Sequence, residues 1–300
     1  MAANWIRDKI RSSILPYSTK WYYPYRLSGS ITWAFRIITS SIRVYPDFFI
    51  IGVGRGGTTS LEYYLSQHPN IAHASKKEVH FFDREFKKES SWYKANFITK
   101  LTKFYFNKIK KESILSCDAT PTYIMHPDVP ERIKQYLPNS KFIVFLRNPA
   151  DRAFSQYNRE VETKKEKLSF LDALKSEEER TRKEKTKYTD NEFFNSYYWG
   201  GINYLANGHY AKLLKRWFAI YPRDKFFILK TETFSKDPDK YINEIFRFLD
   251  LPDDHSIDFT RQNRGIEKKM SEEERQFLNV YFEKSNRELE ELLGPNFTWK

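Results

Sequence analysis

A strand, a glycine-rich turn and a helix follow one another directly in the stretch that begins at Phe48. The apolar run 48–53 has the length and composition of a buried strand, and the glycines of residues 52–57 form the turn. We predict that an amphipathic helix begins at Thr58 or Thr59. This order brings backbone N–H groups and the positive end of a helix dipole to one point, and it therefore predicts an anion-binding site in an α/β fold.

A nucleoside-triphosphate P-loop is one interpretation of the turn. Gly52 and Gly57 have the spacing of G-x-x-x-x-G-K-[ST], and Thr59 matches the metal-binding hydroxyl of that motif. Thr58, however, stands where the motif has the lysine that reaches the β- and γ-phosphates. A P-loop-type nucleotide-dependent kinase therefore stays as an alternative that the sequence disfavours.

A dinucleotide site is a second interpretation, because Gly52, Gly54 and Gly57 satisfy G-x-G-x-x-G after a strand and before a helix. That site also needs an acidic residue at the end of the next strand, about 20 residues further on. Glu78 has roughly that separation, but residues 76–83 are too charged for the end of a buried parallel strand.

A sulfuryl-donor loop is the third interpretation. Arg55 places a guanidinium inside the turn, where it is able to hold a phosphosulfate with two hydrogen bonds. Thr58, Thr59 and Ser60 open the helix with hydroxyl groups. The loop alone leaves all three ligands open, so the choice depends on the segments around it.

Residues 141–146 form a second short apolar run, which we predict to be a buried strand. Asn148 is suited to cap a following helix, and Pro149 is suited to its first turn. Arg147 then stands at the carboxyl end of a strand, where α/β sheets bind ligands, and Ser155 lies on the helix. Considered alone, Arg147 is more simply a surface or capping arginine. Two such anion sites in one domain suit a nucleoside that carries phosphates at both ends.

The segment 76–83 carries two carboxylates and an imidazole, at Glu78, Asp83 and His80. On an extended chain Glu78 and His80 would share one face. A carboxylate near Lys77 and an anion site is suited to act as general base on an acceptor hydroxyl. The simpler alternative is a solvated, charged turn.

Together these segments resemble the sulfotransferases that use 3′-phosphoadenosine 5′-phosphosulfate (PAPS), and most of all the heparan sulfate N- and 3-O-sulfotransferases and their microbial relatives. The likeness runs in the same order through residues 46–300. It rests on the loop at 51–61, the K-E-x-H-F-F-D segment at 77–83, the S/T-P-x-Y turn at 118–123, the strand-loop-helix at 142–157, residues 208–210 with Trp217, the loop at 262–265 and the ending at 292–299. The resemblance implies a P-loop-like three-layer α/β fold, with a central, mainly parallel sheet flanked by helices.

The resemblance also implies roles in catalysis. Glu78 matches the catalytic base, and His80 with Asp83 matches groups that assist or orient the acceptor. Arg55 takes the place of the lysine that holds the 5′ side of the donor and neutralises the departing phosphate. Arginine keeps that charge but gives up a proton much less readily, so no acid role is expected for Arg55.

The donor-binding residues follow from the same likeness. The 5′-phosphosulfate loop comprises Arg55, Gly56, Gly57, Thr58, Thr59 and Ser60. Arg147 and Ser155 match ligands of the 3′-phosphate. Arg264 and Gly265 match a loop that closes over the donor.

The implied reaction transfers a sulfuryl group from PAPS to a hydroxyl or amine by in-line displacement, without a metal. The expected acceptor is a carbohydrate or glycoconjugate, such as a glycan or a glycolipid. The alternatives are the kinase and a non-catalytic nucleotide- or glycan-binding relative. A non-catalytic relative would lack the base, whereas Glu78 is present.

The net charge of +12 suits an anionic donor and an anionic acceptor. No nucleic-acid-binding module is recognisable and the charge is spread along the chain, so no nucleic-acid partner is expected. Cys117 is the only cysteine, which excludes an intrachain disulfide, including the pair that braces the C-terminal loop of vertebrate relatives. A single cysteine fits a reducing compartment, and the six histidines lack the spacing of zinc ligands.

Residues 1–46 are predicted to form a basic, aromatic N-terminal arm, followed by a sulfotransferase domain at 47–300. No apolar run approaches the length of a membrane span, and no signal-peptide pattern is evident. The composition of the arm favours a cytoplasmic protein with peripheral contact to the inner membrane surface, and packing of the arm on the domain is an equal alternative. Residues 162–187 are predicted to be a charged, solvated helical excursion near the acceptor cleft.

Overall fold

The computed structural model describes residues 30–185, 203–253, 255–259 and 269–299. Arg264 and Gly265, the predicted closing loop, lie outside the described residues, and so does most of the predicted N-terminal arm. The helices are α1 (Ser30–Ile38), α2 (Thr58–Ser66), α3 (Ser90–Lys94), α4 (Lys100–Phe104), α5 (Val129–Tyr136), α6 (Pro149–Glu162), α7 (Phe170–Lys185), α8 (Tyr210–Phe218), α9 (Thr231–Phe234), α10 (Pro238–Phe248) and α11 (Glu272–Leu293). Short 3-10 turns lie at Thr39–Ile42, Ala206–Gly208, Arg223–Lys225 and Pro295–Phe297, and a π-helical turn lies at Tyr105–Lys110.

A five-stranded sheet forms the centre of the molecule. Its strands are β1 (Phe48–Gly52), β2 (Ile71–His73), β3 (Leu115–Ala119), β4 (Lys141–Leu146) and β5 (Phe226–Lys230), in the order β2-β3-β1-β4-β5. All neighbouring strands pair in parallel. Because β1 lies between β3 and β4, the segments that leave these three strands meet at one edge of the sheet. In a dinucleotide-binding fold the second strand pairs with the first, so this order also counts against that interpretation.

Both faces of the sheet are covered by helices, because the strands are apolar on both faces. Phe49 and Ile51 of β1 face one core, which includes side chains of α5, α8 and α11. Phe48 and Ile50 face the other core, which includes side chains of α2 and α10. The predicted P-loop-like three-layer α/β architecture is confirmed.

The last long helix, α11, begins where the S-x-x-E spacing of Ser271 and Glu274 predicts a helix start, but it turns a different face to the core from the one that its apolar residues predict. The capping box is present, with Ser271 and Glu274 each accepting a hydrogen bond from the backbone N–H of the other. From the sequence we predict a core stripe of Phe277, Val280, Tyr281 and Leu289 on this helix. That prediction is largely wrong, because Val280 is 69% and Tyr281 is 41% exposed. The buried side chains are Leu278, Phe282, Ser285 and Leu289, which follow the i, i+4, i+7, i+11 spacing of one helical face.

The charged segment at 162–187 is more than a solvated helix. Phe170, Ala173 and Leu174 of α7 are buried against α6 and α11. Glu177 of the same helix is also buried, and it accepts hydrogen bonds from the backbone N–H groups of residues 205 and 206. Burial raises the pKa of Glu177 to about 7, although these hydrogen bonds act in the opposite direction. The three apolar residues and the buried carboxylate thus fix one face of α7 to the domain.

Candidate active site

The glycine turn after β1 is held by backbone geometry that requires glycine. Gly57 precedes the first residue of α2 with φ of 91°, in the left-handed region that other residues rarely adopt. At Gly56 a Cβ atom would lie 2.9 Å from the carbonyl oxygen of Phe145, so β4 leaves no room for a side chain. The Thr231 hydroxyl donates to the carbonyls of Gly56 and Leu146, and this links the turn to the end of β4.

The two predicted anion loops converge on Arg55. The Nε of Arg55 donates to the Oγ of Ser155 over 3.1 Å. The Nη1 of Arg147 donates to the carbonyl oxygen of Arg55, also over 3.1 Å. Desolvation, and then the positive charges of Arg147 and Arg159, lower the pKa of the Arg55 guanidinium. An anion at this point would relieve the repulsion between these cations.

The backbone around Arg147 is fixed from both sides, as the sequence predicts for a helix start. The Oδ1 of Asn148 accepts hydrogen bonds from the N–H groups of Ala150 and Asp151, 2.9 and 3.3 Å away, and thereby caps α6. The Tyr210 hydroxyl donates to the carbonyl oxygen of Arg147 over 2.8 Å. The guanidinium is therefore carried on a rigid turn.

Lys77 connects the third motif to the first. Its Nζ donates a hydrogen bond to the Oγ1 of Thr59 over 3.2 Å. Thr59 lies in the first turn of α2 and is half-buried with Ser60, whereas Thr58 is buried. The Lys77 ammonium therefore lies at the helix N-terminus, beside the next residue in the chain, Glu78.

Glu78, His80 and Asp83 form one charged chain of contacts. Glu78 Oε2 lies 3.4 Å from His80 Nε2, and His80 Nδ1 lies 3.2 Å from Asp83 Oδ2. Burial opposes the charged form of all three groups, but their mutual contacts outweigh it. The pKa of Glu78 is lowered by the hydrogen bond and charge of His80 and by the charges of Lys77 and Arg84. For the same reason the pKa of His80 is raised and that of Asp83 is lowered.

The backbone of this segment differs from the predicted extended chain. Glu78 and His80 have φ values of 53° and 59°, in the left-handed region, so the two side chains do not meet through strand alternation. The side chains of Glu78 and His80 come into contact because the backbone has a positive φ at both residues. Non-glycine residues in this region cost free energy and are retained where the surrounding structure compels them.

The profile of the sulfotransferase domain matches residues 45–289, which is most of the chain. The chain belongs to the sulfotransferase family. It is therefore an enzyme of that class, and the P-loop-like fold agrees with this assignment.

Named proteins and a solved structure resemble this sulfotransferase over most of its length. It is 27% identical to the membrane-associated sulfotransferase kil1 of Dictyostelium discoideum, covering 85% of this chain and 66% of that protein. It is 28% identical to mouse heparan sulfate glucosamine 3-O-sulfotransferase 5, covering 70% of this chain and 55% of that protein. The chain thus spans between half and two thirds of the length of these relatives. A sulfotransferase crystal structure from Alicyclobacillus acidocaldarius superposes with a TM-score of 0.63 at 29% identity, covering 83% of this chain and 96% of that one.

The turn after β3 supports the catalytic segment of this sulfotransferase. Backbone N–H groups of Phe81 and Phe82 donate to the Tyr123 hydroxyl over 3.0 and 3.4 Å. That hydroxyl donates to the buried Asp118 carboxylate over 3.1 Å. The Thr122 hydroxyl donates to Asp83 over 2.7 Å. The S/T-P-x-Y turn therefore fixes the position of the segment 78–83 through these hydrogen bonds.

Asp118 is fully buried, yet it is well supplied with donors. Besides Tyr123, the hydroxyls of Tyr93 and Thr120 donate to its carboxylate over 2.8 and 2.7 Å. Burial raises the pKa of Asp118 to about 6, and the three hydroxyl donors limit that rise. Lys77, Asp118 and Tyr123 were not among the predicted site residues. Their placement in the quoted K-E-x-H-F-F-D and S/T-P-x-Y segments was the signal that could have found them.

Proposed function

We propose that this sulfotransferase transfers the sulfuryl group of PAPS to a hydroxyl or amine of a carbohydrate or glycoconjugate. The observation that carries the donor assignment is the convergence of Arg55, Ser155 and Arg147. This convergence supports a ligand with one phosphate at each of two adjacent loops, as in a nucleoside 3′,5′-bisphosphate.

The 5′-phosphosulfate would lie on the turn at Gly56 and Gly57 and on the first residues of α2. In this proposal backbone N–H groups of the turn, the hydroxyls of Thr59 and Ser60 and the guanidinium of Arg55 would bind it, and buried Thr58 would contribute through its backbone. The 3′-phosphate would lie against Arg147 and Ser155. In this proposal Arg264 and Gly265 cover the bound donor.

Glu78 is the proposed general base. Its carboxylate is ionised at neutral pH and is therefore able to accept a proton, although the lowered pKa makes it a weaker base than an isolated glutamate. His80 holds Oε2 of Glu78, which leaves Oε1 to take the proton of the acceptor. Asp83 fixes the opposite nitrogen of His80 and so orients the imidazole.

The reaction is a single displacement at sulfur. The acceptor oxygen or nitrogen forms a bond to sulfur while the bond from sulfur to the bridging phosphate oxygen breaks. The acceptor proton passes to Glu78, and the electron pair of the broken bond leaves on the 5′-phosphate. Arg55, Lys77 and the helix N-terminus stabilise that growing charge by preorganised electrostatics.

The proposed acceptor class rests on the named relatives, since heparan sulfate enzymes recur among them. We also propose that the sulfotransferase domain begins at residue 47, after an N-terminal arm of residues 1–46. The proposed location of the protein is peripheral, at a cytoplasmic membrane surface. Among the helices of the described residues, none combines the length and the apolar character needed to cross a bilayer.

Calorimetric titration with adenosine 3′,5′-bisphosphate, run beside ATP with magnesium and NAD, tests the donor site. We expect tight binding of the bisphosphate alone. Transfer of labelled sulfuryl from PAPS to a panel of glycans and glycolipids then tests the acceptor. Preference for ATP or NAD would contradict the donor assignment, and transfer to non-carbohydrate acceptors alone would contradict the acceptor class.

A further inference from the structure

Exposed apolar side chains are concentrated on one part of the surface. Ten large apolar side chains of the described residues are exposed, and six of them lie on two neighbouring stretches of chain. These six are Phe35, Ile38, Ile42, Leu101, Phe104 and Ile109, each more than half exposed. Single exposed apolar residues are ordinary on a protein surface, whereas a group of six indicates an interaction site.

Each stretch presents its apolar residues on one side. Phe35, Ile38 and Ile42 follow helical spacing along α1 and the 3-10 turn Thr39–Ile42. On the second stretch, Leu101 and Phe104 are three residues apart in α4. The π-helical turn Tyr105–Lys110 has a longer repeat than an α-helix, so Ile109, five residues after Phe104, returns to the same side.

The first stretch and the residue that follows it are hydrogen-bonded to residues 95–99, which lead directly into the second stretch. Arg36 donates from Nε to the carbonyl oxygen of Ala95 over 2.6 Å and from Nη2 to that of Phe97 over 3.3 Å. Arg43 donates from Nη1 to the Phe97 carbonyl over 2.8 Å, and it forms an antiparallel bridge with Thr99. These bonds hold the first stretch beside the segment that leads into α4, and we infer from this that the two stretches form one surface, which we call the basal face (residues 35–42 and 100–111).

The basal face is also basic. Lys100, Lys108, Lys110 and Lys111 are exposed on it. None of the ion pairs formed within the described part of the chain includes these four lysines. Apolar side chains surrounded by lysines match the apolar interior and anionic headgroups of a membrane surface.

We propose that the basal face binds the surface of an anionic membrane. Charge complementarity favours this occupant over the N-terminal residues 1–29, which carry five basic residues and one acidic residue. That segment would be repelled by the lysines of the basal face but attracted to the same anionic lipids. A second copy of the chain is also disfavoured as the partner, because it would bring the lysines of two basal faces together and their positive charges would repel.

The basal face lies at the opposite end of the sheet from the candidate active site. The backbone N–H of Val44 donates to the carbonyl oxygen of Ile98, and Lys103 pairs with Asp47. Asp47 directly precedes β1, so these contacts lie at the amino end of that strand. Arg55, Arg147 and Tyr123 follow the carboxyl ends of their strands. On a membrane the active site would thus open away from the bilayer, and the acceptor would enter from the aqueous side.

Vesicle sedimentation of the full-length chain tests this proposal. We expect binding to vesicles of phosphatidylcholine with phosphatidylserine, weakened by salt, and no binding to phosphatidylcholine alone. Combining Leu101→Ser, Phe104→Ser and Ile109→Ser should reduce the partition coefficient at least about tenfold, because each side chain loses its transfer into the bilayer. Combining Lys108→Glu, Lys110→Glu and Lys111→Glu should have a similar effect.

Matched controls lie elsewhere on the surface. Val280→Ser removes an exposed apolar side chain, and Lys175→Glu, Lys212→Glu and Lys284→Glu together reverse three exposed charges. These controls should bind vesicles as the wild type does. Affinity for adenosine 3′,5′-bisphosphate should stay unchanged in all variants, which separates this proposal from the proposed donor site.

A site-specific label gives an independent measurement. Cys117 is the only cysteine of the sequence and it is buried, so a cysteine introduced at an exposed position accepts a label selectively. An environment-sensitive fluorophore on Phe104→Cys should shift its emission to the blue with anionic vesicles, and the same label on Val280→Cys should not. Unchanged vesicle binding of the basal-face variants would overturn the proposal. Variants that lose self-association of the protein but bind vesicles like the wild type would overturn it too.

Discussion

Lys77 donates a hydrogen bond to the hydroxyl of Thr59, with 3.2 Å between Nζ and Oγ1. In the P-loop motif the lysine directly precedes this hydroxyl residue, but here Thr58 occupies that position. The ammonium at the start of α2 comes instead from a residue 18 positions further along the chain. The missing loop lysine is therefore weaker evidence against a triphosphate ligand than the sequence indicates, and family membership is the stronger evidence for sulfuryl transfer.

Replacing Lys77 by methionine should lower kcat by about ten- to a hundredfold, because the ammonium would no longer stabilise charge on the departing phosphate. Lys76→Met is the control, since the ammonium of Lys76 lies over the ring of Trp92. Steady-state rates of both variants with PAPS provide the measurement. A Lys77→Met enzyme as fast as the Lys76→Met control would show that Lys77 has only a structural role.

Glu78→Gln should preserve binding of adenosine 3′,5′-bisphosphate and reduce turnover about a hundredfold or more, because glutamine cannot accept the acceptor proton. Calorimetry and single-turnover transfer measure the two properties separately. Glu85→Gln is a suitable control, because Glu85 lies two residues after that segment and pairs with Lys88. Wild-type turnover in Glu78→Gln would remove Glu78 from the role of base.

Local structure was predictable where the determinants lie close together in sequence. The start of α2 at Thr58, the strand Lys141–Leu146 and the cap at Asn148 agree with the sequence analysis. A cap or a short apolar strand depends on a few neighbouring residues, so its physics is visible in the sequence.

Contacts between distant segments were not predictable in the same way. Lys77 donates to Thr59, and the backbone N–H groups of residues 81 and 82 donate to the Tyr123 hydroxyl. Both contacts depend on how β1, β2 and β3 are ordered in the sheet. The prediction of which face of α11 is buried was wrong for a related reason. Apolar residues occupy more than one side of that helix, and only its neighbours decide which side is buried.

Arg147→Ala should weaken binding of adenosine 3′,5′-bisphosphate by about ten- to a hundredfold, as expected for loss of a charge-assisted contact to phosphate. Affinity for adenosine 5′-monophosphate should change much less, because that ligand lacks the 3′-phosphate. Arg287→Ala, on the exposed side of α11, is the control for total charge. Equal losses for the two nucleotides would place Arg147 away from the 3′-phosphate.

The stability contributed by His80 should depend on pH. Its pKa is raised above the ordinary 6.5, so the contribution is complete below that pH and is lost as pH rises through the higher pKa of the folded state. Glu78 has a pKa below 4.5, so its part of the contact is lost as pH falls through that lowered value. The difference in unfolding free energy between wild type and His80→Gln should thus be largest between pH 4.5 and 6.5. Urea unfolding from below pH 4.5 to above pH 6.5 measures it, and a difference that declines at neither end of that series would contradict the charged contact.

Tyr123→Phe should separate positioning of the base from donor binding. The substitution removes the hydroxyl that receives the N–H groups of Phe81 and Phe82 and that donates to Asp118. Removing the acceptor of the two buried N–H groups and one of the three donors to Asp118 should cost about 1–3 kcal/mol in the free energy of unfolding. Because the segment 78–83 loses its support, kcat should fall while affinity for the bisphosphate stays within about twofold, since the charge-assisted phosphate contacts are untouched. Tyr221→Phe is the control, because that hydroxyl donates to the carbonyl oxygen of Leu137, away from the site. Equal losses of kcat in the two variants would indicate general destabilisation and would contradict a specific role for Tyr123.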